Sequence, residues 1–94
     1  MLDAVKLAMR PAIKTNAYDS DIQELIEAAK ADLELAGILV NIEKPLIRRA
    51  VITYCRLNFG NPENPDLLKS SYDEQKAQLQ SATGYTDWGD DDGT

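Results

Sequence analysis

Residues 18–37 read Tyr18-Asp19-Ser20-Asp21-Ile22-Gln23-Glu24-Leu25-Ile26-Glu27-Ala28-Ala29-Lys30-Ala31-Asp32-Leu33-Glu34-Leu35-Ala36-Gly37. Ile22, Leu25, Ile26, Ala29, Leu33 and Ala36 recur at spacings of three and four, which sets them on one face of an α-helix. Both ends carry signals. Asp19 or Ser20 is placed to cap the start, Ser20-x-x-Gln23 has the form of a capping box, and Gly37 supplies the stop. At 1.5 Å per residue the helix is roughly 27 Å long. A helix with one apolar face has to bury it against other elements, so its flanks decide the architecture.

Towards the N-terminus, Leu2, Val5 and Met9 mark a short helix from about Leu2 to Met9, which Pro11 prevents from continuing. A polar stretch, Lys14 to Ala17, leads from it to Tyr18. Towards the C-terminus, Ile38 to Ile42 form a short apolar connector, and Pro45 suits a first helical turn. Leu46, Ala50, Val51, Tyr54 and Leu57 then line one face as far as Phe59, where Gly60 and Asn61-Pro62 close the helix. Asn64-Pro65-Asp66 restarts the chain, with Asn64 as cap, Pro65 in the first position and Asp66 against the helix dipole. The apolar positions of this last helix, Leu67, Leu68, Tyr72 and Leu79, are sparse enough to leave one face for solvent or a neighbouring subunit. The predicted fold is all-α: a small bundle of about four helices over residues 1–81, followed by a flexible acidic tail over 82–94, where Asp and Gly displace apolar residues.

A chain of 94 residues buries only about 60 to 65% of its unfolded surface. Small folds with thin cores draw stability from disulfides, metals or self-association. Cys55 is the sole cysteine and the chain has no His, so an internal disulfide and a tetrahedral zinc site are both excluded. Self-association is what remains. No apolar run approaches the roughly 20 residues of a membrane span, and Met1-Leu2-Asp3-Ala4 lacks the layout of a signal peptide. The expected setting is a reducing cytoplasm, with no membrane partner. A net charge of -6 argues against a protein that grips DNA by counterion release, because DNA itself carries about one negative charge per 1.7 Å.

The same inventory disfavours chemistry. Cys55 has no His to activate it, and a buried small residue is the plainer reading. Asp19 with Asp21 and Asp73 with Glu74 fit helix starts and solvated faces better than a carboxylate active site. The run Asp87 to Gly93 has neither the spacing nor the terminal Glu of a calcium loop, and the glycines form no phosphate-binding motif. Asp19-Ser20 faintly resembles the attachment site of acyl carrier proteins, but only a short helix precedes it and the next residue is Asp21 rather than an apolar one. No catalytic residue, cofactor or metal is expected.

Charge is segregated. Residues 1–43 carry eight acids and four bases, residues 44–59 four bases and no acid, and residues 60–94 eight acids and two bases. Lys44, Arg48, Arg49 and Arg56 thus form a basic helix, opposite in sign to Glu24, Glu27, Asp32 and Glu34 on the helix before it. Two readings fit: ion pairs within one chain, or complementary faces of a subunit interface. The tail divides in the same way. It is either a solvating end or a partner-docking segment in which Tyr85 and Trp88 are the anchors and Asp90, Asp91 and Asp92 the charge.

Tyr18-Asp19-x-Asp21-Ile22-x-x-Leu25-Ile26-x-Ala28-Ala29-x-x-Asp32-Leu33, then Pro45-Leu46-Ile47-x-x-Ala50-Val51-x-x-Tyr54, then Phe59-Gly60-x-Pro62 and Leu68-x-x-x-Tyr72, taken in order over about residues 2–80, resemble the head-tail connector (adaptor, DNA-packaging) proteins of tailed bacteriophages. The resemblance implies a structural virion protein at the head-tail interface, made in the host cytoplasm. It implies a homo-oligomeric ring of about a dozen copies that sits under the portal protein, receives a stopper or tail-completion protein and extends the DNA channel. DNA would pass without specific binding, repelled by carboxylates such as Glu24 or Asp32 if these face the lumen. The tail would be a candidate for ordering against the portal, although its Gly-Tyr-Thr-Asp-Trp-Gly sequence departs from the family pattern. The rival reading is a small helical protein-binding regulatory module of a phage or mobile element.

Overall fold

The computed structural model describes residues 1–9 and 12–81. Four helices follow in chain order: α1 (Leu2–Ala8), α2 (Asp19–Leu35), α3 (Pro45–Asn58) and α4 (Pro65–Ser81). The tail with Tyr85, Trp88, Asp90, Asp91 and Asp92, and the Pro11 stop, lie outside the described residues. Among the described residues no helix is long and apolar enough to cross a membrane.

The start of α2 differs from the capping box expected at Ser20. Its N-cap is Tyr18, with no side-chain cap hydrogen bond. The reason is local. Ala17 N–H donates to Thr15 Oγ1 at 3.2 Å and Asp19 N–H to the Asn16 carbonyl at 3.2 Å, so a tight turn brings the chain into the helix before Ser20. The Asp19 carboxylate accepts instead from Lys6 Nζ at 2.7 Å, which ties α1 to the start of α2.

The other end follows the sequence closely. Gly37 has φ +83°, its N–H donates to the Glu34 carbonyl at 2.9 Å, and Ile38 N–H donates to the Leu33 carbonyl at 3.0 Å. These are the paired bonds of a Schellman termination, and its customary apolar contact joins Ile38 to Leu33 in the core. The connector then ends in an Asn41 turn, where Glu43 N–H donates to Asn41 Oδ1 at 2.9 Å and Lys44 N–H to the Asn41 carbonyl at 2.9 Å. Pro45 opens α3 in the first position, as its fixed φ and missing N–H favour. At the far end Gly60 takes φ +63° and turns the chain into α4.

α3 is the central element and packs against the other three. Ile22, Ile26, Ala29 and Leu33 of α2 meet Ile47, Ala50, Val51 and Cys55 of α3, with Val5 and Met9 from α1 and Tyr72 and Leu79 from α4 closing the core. The stripe expected on α3 is rotated: Ile47, not Leu46, is buried, and Leu46 is exposed. A helix contacted from several sides buries a broader face than a single amphipathic seam, so the i+4 ridge Ile47-Val51-Cys55 joins Ala50 inside. On α4, Leu67 is 64% exposed while Tyr72 and Leu79 are buried.

Candidate assembly surfaces

Cys55 is wholly buried, and desolvation pushes its thiol up to about 12, far from a reactive thiolate at neutral pH. No group of three or more metal-ligating side chains converges among the described residues.

The carboxylates of α2 divide into two sets. At 100° per residue, Glu24, Glu27 and Glu34 lie opposite the buried stripe, and all three are exposed. Exposed Ala28, Ala31 and Leu35 run between them, Leu35 at 87% exposure. Glu27 accepts from Gln23 Nε2 at 3.0 Å and from Lys30 Nζ at 3.4 Å, both on its own helix. Asp32 belongs elsewhere. It faces α4, where Tyr72 Oη donates to its Oδ2 at 2.5 Å and Lys76 Nζ lies 3.1 Å from the same oxygen. Burial alone would raise the Asp32 carboxyl, but the Tyr72 and Lys76 bonds and the lysine charge outweigh it and hold the group below its ordinary value. Burial and the adjacent carboxylate push the Tyr72 phenol upward, so it stays a donor. The ring packs edge-on to Tyr54 with centroids 5.4 Å apart, and Lys76 Nζ sits 5.2 Å above its centroid. Gln80 Nε2 adds a bond to the Ala36 carbonyl at 3.2 Å, so α4 is clamped along the C-terminal half of α2. The sequence carried no signal for this clamp, since its partners are 40 and 44 residues apart.

The bases of α3 point outward. Arg48, Arg49 and Arg56 flank half-buried Ile52 on the face opposite the core, and none forms an ion pair among the described residues. Lys44 is half-buried at the N-cap. Among the described residues no ion pair joins Glu24, Glu27, Asp32 or Glu34 to Arg48, Arg49 or Arg56. Beside Arg49, a notch of about 600 Å³ between α3 and α4 is lined by Leu46, Glu74, Gln75 and Leu79. Gln75 Oε1 there is the one buried side-chain polar atom without a partner among the described residues.

No curated protein and no solved structure matches the chain significantly. A family model described as phage connector protein does match, over residues 1–86, which takes in every helix. With that much of the chain covered, the protein belongs to the phage connector protein family, a family of structural proteins.

Proposed function

We propose that this chain joins head to tail in a phage particle as a closed ring at the portal vertex, a structural role without catalysis. The observation that carries the reading is the pair of outward stripes. One is acidic and smooth, Glu24, Glu27 and Glu34 around Ala28, Ala31 and Leu35 on α2; the other is basic, Arg48, Arg49 and Arg56 around Ile52 on α3. Each has the sign the other lacks, and among the described residues no ion pair joins one stripe to the other. The acids span ten residues and the bases eight, so along their helices they extend about 15 and 12 Å. Small side chains at the centre of the α2 stripe let a second helix approach closely, and charges at its rim fix register more than they add affinity.

Two different patches that meet between copies form a heterologous contact, which closes into a ring when the rotation per copy divides a full turn. The thin core makes such association the natural further source of stability. A portal protein above and a stopper or tail-completion protein below are the partners this reading requires, with the virion as its location. Asp32 leaves the lumen set, because Tyr72 and Lys76 hold it.

The test is assembly on portal-bearing capsids, followed by native mass spectrometry and electron microscopy. The unaltered chain should add as a large ring. The double change Arg48→Glu/Arg49→Glu should abolish the ring without unfolding the monomer, and adding Glu24→Lys/Glu27→Lys in the same chain should restore it. Normal ring formation by the double variant would defeat the proposed interface. A complex of only one or two copies on a non-portal partner would favour the regulatory-module reading.

A further inference from the structure

A second surface lies at the other edge of α3. The end of α3, the start of α4 and the segment leading into α2 enclose a groove of about 720 Å³. Its apolar walls come from Ile13, Tyr18, Phe59, Leu67 and Leu68. Tyr18 and Phe59 meet edge to face with centroids 5.5 Å apart and give one wall a fixed shape. Among the described lining residues stand two cations, Lys14 and Arg56, and one acid, Glu63. An apolar slot with basic lining fits an acidic segment that carries a large aromatic.

The chain contains one such segment. Residues 82–94 hold Tyr85, Trp88 and four aspartates, Asp87, Asp90, Asp91 and Asp92, with no base. We propose that the groove seats Trp88 of a second copy of this chain, with a flanking aspartate on Lys14. This rests on the ring reading above and adds a second contact of the same head-to-tail kind between neighbours.

Reach argues for a second copy. The groove lies at the beginning of α4 and the tail leaves from its end, so Leu68 and Ser81 are about 20 Å apart along the helix. Residues 82–88 span at most about 25 Å, so Trp88 returns to its own groove only as a nearly straight strand laid back along α4. That path carries Asp87 along an acidic helix. α4 presents Asp66, Asp73 and Glu74, while its two lysines are already engaged, Lys69 by Asp73 and Lys76 by Asp32. A neighbour's groove imposes no such path, and a donor tail at one end of α4 with an acceptor groove at the other is again a head-to-tail arrangement.

Trp88 is the only tryptophan, which makes the test direct. In a mixture of full-length Trp88→Phe protein and a synthetic peptide of residues 82–94, the peptide carries the sole indole. Titrating the protein into the peptide should give a saturable blue shift and a rise in anisotropy. A Trp88→Phe/Leu67→Glu protein should bind at least about tenfold more weakly, because Leu67 lines the groove. Leu67 is 64% exposed, so equal urea midpoints for the two proteins will show that the fold is unchanged. The proposal is overturned by an absence of saturable binding, by equal binding to both proteins, or by unaltered protein whose Trp88 emission is blue-shifted at every dilution, which would place the tail on its own chain. Rings that form on portal-bearing capsids while the peptide fails to bind would sink the tail seat and leave the ring. Peptide binding without rings would support the seat and sink the ring.

Discussion

Tyr72→Phe removes one oxygen atom and leaves the ring that packs on Tyr54, so it isolates the hydrogen bond to Asp32. A bond to a charged acceptor contributes about 1.5–3 kcal/mol. Two features reduce the expected loss. The Asp32 side chain is 35% exposed, which lets water replace the lost donor in part, and Lys76 Nζ remains 3.1 Å from the same oxygen. We therefore expect Tyr72→Phe to cost about 1–2 kcal/mol, a fall in melting temperature of about 4–16 °C for a domain this small. Urea unfolding followed by circular dichroism measures it, with Asp32→Asn and the double variant completing a cycle. Asp32→Asn keeps an acceptor but loses the charge, so it should cost less after Tyr72→Phe than before, with a coupling of about 0.5–1.5 kcal/mol. Strict additivity, or a Tyr72→Phe protein within about 0.3 kcal/mol of the parent, would refute the idea that this bond clamps α4 to α2.

Three further outcomes follow from the same packing. Asp32 is held below its ordinary pKa of 3.8, so its contribution to stability is complete above that value and is lost as pH falls through the lower folded-state value; acid titration of the unfolding midpoint should show a smaller acid loss in Asp32→Asn. Ile26→Ala, at a fully buried position between α2 and α3, should cost about 2–5 kcal/mol in the same urea experiment. Gly60→Ala should cost about 1 kcal/mol from backbone conformation alone, since φ is +63° and an added Cβ meets nothing within 4 Å; an unchanged unfolding midpoint would contradict that.

The helices were legible because their signals are local. Ile22, Ile26, Ala29 and Leu33 repeat within one helix, Pro45 and Pro65 set first turns, and Gly37 and Gly60 take the positive φ their positions suggested. The cap of α2 falls at Tyr18 rather than at Ser20 because two preceding turns and a lysine on α1 compete for the same groups, and such competition is not visible in a four-residue motif. Leu46 and Ile47 are adjacent and equally apolar, and which one enters the core depends on the directions from which α1, α2 and α4 meet α3. Asp32 shares with Glu24, Glu27 and Glu34 only its sign and its helix. Its separation from them follows from a long-range bond to Tyr72 that periodicity does not encode. The segregation of acids and bases is legible, whereas the lack of ion pairs between Glu24, Glu27 or Glu34 and Arg48, Arg49 or Arg56 required the fold.

The proposed self-association of this chain would face an electrostatic difficulty that pairing the outward stripes does not remove. Each copy carries a net charge of -6, and pairing acids of one copy with bases of the next removes equal numbers of each, so a ring accumulates -6 per subunit however many pairs form. Long-range repulsion therefore grows with every copy, while the attraction acts only at contact distance. At physiological salt the screening length is about 8 Å, so the separated net charges are damped while ion pairs at touching, partly desolvated surfaces are damped less. Moderate salt should then favour the proposed ring over its subunits, and very low salt should oppose it. Ring yield measured against ionic strength should pass through a maximum, because high salt eventually weakens the Glu–Arg contacts as well. A yield that fell steadily from the lowest salt upward would mean that contact attraction dominates throughout and that net charge does not limit assembly. In the proposed ring the uncancelled negative charge would also suit a DNA conduit, because it would keep the wall from binding phosphate without any residue devoted to that purpose.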